Sequence, residues 1–149
     1  MSFIVNRLGP ADVEVMRSML RCFAQVFEDT ETYCKKQPEA AYLHRLMAAE
    51  TFIALAATLD GELAGALVAY ELPKFEQERS EIYIYDLAVY APHRRKGVAT
   101  LLIRQVQEIA RRCGAWVVFV QADCVDKPAV QLYSKLGVKE KVLHFDLPL

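Results

Sequence analysis

An α/β fold is expected from three stretches of this 149-residue chain. Ile82 to Val89 reads as a strand that leads, through Tyr90-Ala91-Pro92-His93, into the basic turn Arg94-Arg95-Lys96-Gly97. Behind the turn, Val98, Leu102, Val106, Ile109 and Cys113 recur at helical spacing and Gly114 supplies a stop, so strand, turn and helix follow in one piece. Ala115 to Ala122, AWVVFVQA, is then a nearly continuous β-branched and aromatic run, as expected of a strand buried on both faces. Finally, Phe52 to Thr58 and Leu63 to Glu71 flank Asp60-Gly61, a dipeptide that favours a tight hairpin.

The remaining elements follow in order. Ser2 to Leu8 is a short strand. Pro10 to Phe27 is a helix whose Val13, Met16, Leu20, Phe23 and Phe27 share a face, with Pro10 and Asp12 suited to the first turn. Glu28 to Gln37 is an acidic loop, Pro38 to Glu50 a helix with Leu43, Leu46 and Met47 on its apolar side, and Leu72 to Ser80 a charged loop. Pro128 to Leu136 is a helix that begins near Asp126, suited to the N-cap, and ends before Gly137, suited to C′. Val142 to Leu147 is a last strand. With no repeat, low-complexity segment or linker, residues 1–149 read as one domain.

A composition of 54% hydrophobic and 25% charged residues suits a globular protein. The net charge of −1 argues against general nucleic-acid binding, but its distribution is uneven. Between His93 and Arg112, Arg94, Arg95, Lys96, Arg104, Arg111 and Arg112 face Glu108 alone, whereas Glu71, Glu76, Glu78, Glu81 and Asp86 outnumber Lys74 and Arg79. Glu28, Asp29 and Glu31 form a second acidic cluster. One region thus suits an anionic cofactor and another a cationic partner, although the same runs also read as solvated faces. The N-terminus lacks a signal pattern and no apolar run approaches the ~20 residues of a membrane span, so a soluble cytoplasmic protein with no membrane partner is expected. Cys22, Cys34, Cys113 and Cys124 form no C-x-x-C pair and are expected to be buried free thiols. His44, His93 and His144 are equally scattered, so no metal site is expected.

A basic turn at a helix N-terminus binds anions. Exposed amides and the positive end of the helix dipole favour phosphate, and a residue without a side chain lets phosphate oxygens reach the main chain. Neither G-x-G-x-x-G nor G-x-x-x-x-G-K-S/T is present, which removes the main support for dinucleotides and nucleoside triphosphates. The plainer alternative is a solvated turn without a ligand. What stands here, Arg94-x-x-Gly97-x-Ala99, resembles the Q/R-x-x-G-x-G/A turn with which the GNAT superfamily of N-acetyltransferases holds the pyrophosphate of acetyl-coenzyme A. Downstream, Asp126-x-x-Ala129-x-x-Leu132-Tyr133-x-Lys135-x-Gly137 follows that superfamily's N-x-x-A-x-x-L-Y-x-K-x-G-F pattern. The segments TFIALAA, KFEQERSEIYIYDLAV, FVQADCVDKPAVQLYSKLG and LHFDLP resemble the type I aminoglycoside 3-N-acetyltransferases, so the likeness extends over essentially the whole chain.

The resemblance implies a GNAT fold, with a mixed central sheet of six to seven strands flanked by about four helices. It implies acetyl-coenzyme A as cofactor and a small polycationic aminoglycoside, acetylated at the 3-amino group, as substrate; a homodimer is compatible with it. Leu87, Ala88 and Val89 would lie along the pantetheine arm. Arg94, Arg95, Lys96, Gly97, Val98, Ala99 and Thr100 would wrap the pyrophosphate, and Asp126, Ala129 and Lys135 would flank the cofactor from the other side. Tyr133 matches the tyrosine that protonates the departing thiolate. Asp126 departs from the usual asparagine, which loses a donor and adds a negative charge near the cofactor.

The chemistry also follows from the reaction itself. At a lysine-like pKa of ~10.4 about one amine in a few thousand is neutral at pH 7, a cost near 4.6 kcal/mol, so a base must take the proton. Asp86, three residues before Val89 on the strand beside which the thioester would lie, is the candidate; its plainer reading is a hydrogen-bond acceptor or ion-pair partner at a strand end. Glu81, Asp123 and Asp146 are reserves as base or anchor, and Glu28, Asp29, Glu76 and Glu78 complete the acids expected to bind ammonium groups. A backbone irregularity near Leu87 to Val89 would free an N–H for the developing oxyanion. Tyr83, Tyr85, Tyr90, Phe75 and Trp116 are expected to be core or pocket wall. A related enzyme acting on a polyamine, or an acyl-coenzyme A binding module without turnover, are the alternative readings.

Overall fold

The computed structural model describes residues 2–149 and divides into two compact units, one ending at Phe119 and one beginning at Val120. The N-terminal unit is built on a sheet whose spatial order follows the chain: β1 (Ile4–Arg7), β2 (Phe52–Leu59), β3 (Glu62–Pro73), β4 (Ser80–Val89) and β5 (Ala115–Val120). The first four strands pair antiparallel. Helices α1 (Val13–Val26), α2 (Thr30–Tyr33) and α3 (Ala40–Ala48) precede β2, and α4 (Val98–Cys113) connects β4 to β5. Among the described residues there are five strands, where six to seven were expected, and five α-helices, where about four were expected.

Each face of the sheet has its own cover. Met16, Met19, Cys22 and Phe23 of α1, with Leu43 and Met47 of α3, are buried with Ala54, Ala56, Ala66, Val68 and Ala88. Leu55, Leu67, Ile82 and Ile84, which alternate with these, are buried too, as are Val98, Leu102 and Val106 along α4. The sheet is pressed tightest at Gly65: a Cβ there would lie 3.0 Å from the Ala88 carbonyl oxygen, 3.1 Å from Val98 Cγ1 and 3.3 Å from Val89 Cγ2. Glycine is the residue that lets β3, β4 and α4 approach this closely. The hairpin between β2 and β3 turns on Asp60 and Gly61, with φ of 52° and 83°, the left-handed pair of a type I′ turn.

Several expectations need correction. Asp12 is the N-cap residue of α1, but its carboxylate accepts from the Gly9 amide (2.7 Å) rather than capping the helix. The acidic stretch is not all loop, because Asp29 accepts from the Thr32 amide at 3.0 Å and nucleates the single turn α2. β5 is only half-buried, and Trp116 is exposed, because it closes the sheet as its last strand. The four cysteines are free thiols, but only Cys22 is buried; burial pushes its thiol up to about 11. Cys34 is half-buried, and Cys113 and Cys124 are exposed.

The C-terminal unit carries α5 (Lys127–Leu136), opened by Asp126, whose carboxylate accepts from the Ala129 amide at 3.3 Å. Gly137 ends the helix at φ −149°, extended rather than left-handed, so the expected C′ geometry is absent. The strand expected over Val142 to Leu147 does not form: no ladder partner is paired with it, and its Val142, Leu143, Phe145 and Leu147 side chains are exposed. Within it His144 and Asp146 bond to each other at 2.9 Å. Among the described residues, no helix is long and apolar enough to cross a membrane and no group of three or more His, Cys, Asp or Glu could hold a metal ion.

Candidate active site

The irregularity in β4 lies upstream of the place expected from the sequence. Leu87, Ala88 and Val89 pair in register with Leu67, Ala66 and Gly65, and Asp86 with Val68, but the next pair is Ile84 with Ala69. Tyr85 is therefore an extra residue, a β-bulge. Its effect is a change of face. In an unbroken strand Asp86 would share the side of Ile82 and Ile84; the bulge places it opposite Val68, beside Ala88, on the side covered by α1.

There the Asp86 carboxylate meets Tyr33, the last residue of α2, whose hydroxyl donates to Oδ2 at 2.8 Å. The Tyr33 ring packs against Phe23 and Phe27 of α1, with centroids 5.7 and 5.9 Å apart. Tyr85 stands edge-on to Tyr70 (5.9 Å) and Tyr83 (5.7 Å), and Tyr83 stacks on Phe119 at 4.7 Å. Burial raises the Asp86 pKa above the ordinary carboxylate value, and the Tyr33 hydrogen bond partly offsets that rise. Burial likewise raises Tyr33, Tyr70 and Tyr83, and Asp86 adds to each, so these phenols stay protonated at neutral pH. A half-buried carboxylate with a raised pKa, walled by neutral aromatic rings, can receive an ammonium group and accept its proton.

The basic turn is shaped for an anion. Tyr90 leads into a 3₁₀ turn at Ala91–His93; Arg94 donates through Nε to the Val89 carbonyl at 3.2 Å, and Arg95, Lys96 and Gly97 are exposed. Arg95 and Gly97 both have positive φ, 59° and 82°. Gly97 is the N-cap of α4, no side chain caps that helix, and a Cβ on Gly97 would meet no protein atom within 4 Å. The first amides of α4 thus have no side-chain cap, and the space at Gly97 is open, an arrangement that leaves a helix N-terminus available to an anion such as a phosphate. Ala99 and Thr100 are half-buried, whereas Val98 is 2% exposed and anchors the helix start against Gly65.

The acids do not form one cluster. Glu76 and Glu81 both pair with Lys74, at 3.0 and 3.6 Å, which leaves less of their charge for a ligand. Asp29 is spent on the α2 cap, and Glu28, at φ 53°, makes the turn that leads into it. Glu78 is exposed. Arg79 instead lies over the Trp116 ring at 4.4 Å. Tyr33, which no local pattern in the sequence singles out, is the direct neighbour of Asp86.

In the C-terminal unit, Tyr133 lies on α5 and its phenol is pushed up by burial and then by the Asp126 charge. Its hydroxyl is therefore a proton donor at neutral pH. Asp126 and Ala129 are joined by the cap hydrogen bond, and Lys135 lies in the last turn of the same helix. Asp123 is exposed just before it, and Asp146 is taken by His144.

Residues 14–138 match the profile of the acetyltransferase (GNAT) family. A crystal structure of an aminoglycoside acetyltransferase from an uncultured soil metagenomic sample is similar over 100% of this chain and 99% of that one, with 54% identity and a TM-score of 0.98. Another aminoglycoside acetyltransferase of soil metagenomic origin, solved in complex with sisomicin, is 30% identical with a TM-score of 0.92, over 99% of this chain and 96% of that one. Streptothricin acetyltransferase of Streptomyces lavendulae is 34% identical over 88 residues, 58% of this chain and 43% of that protein. The match spans about half the length of such curated relatives, from 43% to 60%.

Proposed function

The chain belongs to the acetyltransferase (GNAT) family, and from that membership we propose that it transfers an acetyl group from acetyl-coenzyme A to an amine of a small polycationic aminoglycoside, at the 3-amino group of the 2-deoxystreptamine ring. The substrate class is supported by the aminoglycoside acetyltransferases that this chain resembles along its whole length. The choice of the 3-amine is supported by the likeness of its own segments to the 3-N enzymes. The family match spans both compact units, which supports reading residues 1–149 as one acetyltransferase domain.

The uncapped helix start at Gly97 would take the pyrophosphate of acetyl-coenzyme A, with Arg94, Arg95, Lys96, Val98, Ala99 and Thr100 around it and Leu87, Ala88 and Val89 along the pantetheine arm. On α5, Asp126, Ala129 and Lys135 would flank the cofactor. When bound, acetyl-coenzyme A supplies the activated thioester. Asp86 receives the ammonium form of the substrate amine and removes the proton that blocks its lone pair. Tyr133 Oη supplies a proton to the sulfur that leaves; a phenol is a weak acid for this, so its contribution is largest as a hydrogen bond to charge as it develops. Glu28, Asp29, Glu76, Glu78, Glu81, Asp123 and Asp146 are the acids that would engage ammonium groups remote from the reacting amine.

The observation that carries this reading is Asp86, turned by the Tyr85 bulge into aromatic surroundings with its pKa raised. The test is thiol release from acetyl-coenzyme A with kanamycin-type and gentamicin-type drugs and with spermidine. Release with the drugs is expected. Release with spermidine alone would make the protein a polyamine acetyltransferase, and release with none of them would make it an acyl-coenzyme A binding module.

A further inference from the structure

We propose that Tyr33 is the positioning residue for Asp86: its hydroxyl holds Oδ2, so that Oδ1 is the oxygen left to take the proton from the substrate amine. The inference rests on the acetyl-transfer reading above. Two observations fix the direction of the bond. The Tyr33 ring is packed against the stacked rings of Phe23 and Phe27, and the hydroxyl reaches Oδ2 at 2.8 Å from the end of a helical turn that Asp29 caps. A free carboxylate rotates and exposes either oxygen, whereas one held at Oδ2 presents the other in one orientation. In the transfer the amine N–H bond breaks, its electron pair stays on nitrogen, and the proton forms an O–H bond with Asp86.

The groups that face this pair are Asp29 at the N-cap of α2, Tyr70 from β3, and Tyr83 and Tyr85 from β4 itself. Tyr33, Tyr70 and Tyr83 stay protonated at neutral pH, and Asp29 is the second negative charge, acting on Tyr33. The Tyr33 bond favours the ionised carboxylate and works against burial, so it keeps Asp86 able to accept a proton.

The test is Tyr33→Phe, which keeps the ring packing, together with 3-fluorotyrosine at position 33, which keeps the shape and strengthens the donor. Carbon NMR titration of the Asp86 carboxyl in the free enzyme should move to higher pH in Tyr33→Phe and to lower pH in the fluorinated protein. The ratio of kcat/KM at pH 9 to that at pH 6.5 should grow by about threefold or more in Tyr33→Phe, on the scale of a weakened general base. An unmoved carboxyl titration overturns the proposal, and so does a moved titration with an unchanged pH profile, because the bond would then serve structure only. Asp86→Asn separates the two claims: a wild-type pH profile in that variant would remove the base itself and the positioning role with it, whereas an altered Asp86→Asn profile beside an unaltered Tyr33→Phe profile would sink only the role of Tyr33.

Discussion

Substituting Gly97 separates the fold's demand on that position from the ligand's. Its φ of +82° lies in the left-handed region, and a Cβ there meets nothing within 4 Å. In the free protein the cost of a side chain is therefore in the backbone alone. For valine that cost is ~1–2 kcal/mol, or roughly 2–8 °C in Tm at this chain length. Asparagine visits the left-handed region with little penalty, so Gly97→Asn should melt close to wild type. Ligand binding should not make that distinction. Both side chains would occupy the open space at Gly97, so both variants should lose about tenfold or more in affinity for acetyl-coenzyme A, equivalent to ~1.4 kcal/mol. Differential scanning calorimetry reads the first effect and calorimetric titration the second. A folded Gly97→Asn protein with wild-type affinity would refute phosphate binding at this helix start.

Three further perturbations address other parts of the account. Tyr133→Phe should leave cofactor affinity unchanged and lower turnover by roughly 10²-fold, the scale of general-acid effects; wild-type turnover would make Tyr133 structural. Gly65→Ala should cost about 1–3 kcal/mol, because the Ala88 carbonyl 3.0 Å from the new Cβ is backbone and cannot rotate away; an unchanged Tm would contradict the close packing. Asp86→Asn should raise Tm at neutral pH while it lowers turnover. The folded pKa of Asp86 is raised, so the stability of its protonated form is present below the unfolded carboxylate value of ~3.9 and is lost as pH rises through the folded value. The gain in Tm should accordingly vanish in acid, and a gain independent of pH would contradict the linkage.

The parts legible in the sequence were those with a local signature. Helix α4 begins at Val98 and ends at Cys113, with Gly114 left-handed at φ 79°, as the spacing of its apolar residues and the glycine implied. Asp60-Gly61 and the Asp126 cap are equally local. The bulge was not legible, because Ile-Tyr-Ile-Tyr-Asp reads as unbroken alternation and a slip of face depends on which residue of β3 stands opposite. Tyr33 was invisible for a related reason: its partner is 53 residues away, and α2, at four residues, is too short for periodicity to speak. The pairing of Lys74 with both Glu76 and Glu81 was not legible either, because charges counted along the chain do not show which of them meet in space. Val142 to Leu147 alternates like a strand, but alternation supplies no ladder partner.

The central claim, that Asp86 serves an acetyl transfer to one amine of an aminoglycoside, is tested most directly by NMR of the product formed from acetyl-coenzyme A and a gentamicin-type drug. The expected product carries a single acetyl group on the 3-amine of the 2-deoxystreptamine ring, with the yield lost in Asp86→Asn at pH 7. Acetylation only at another amine, or a full yield from Asp86→Asn, would contradict that claim.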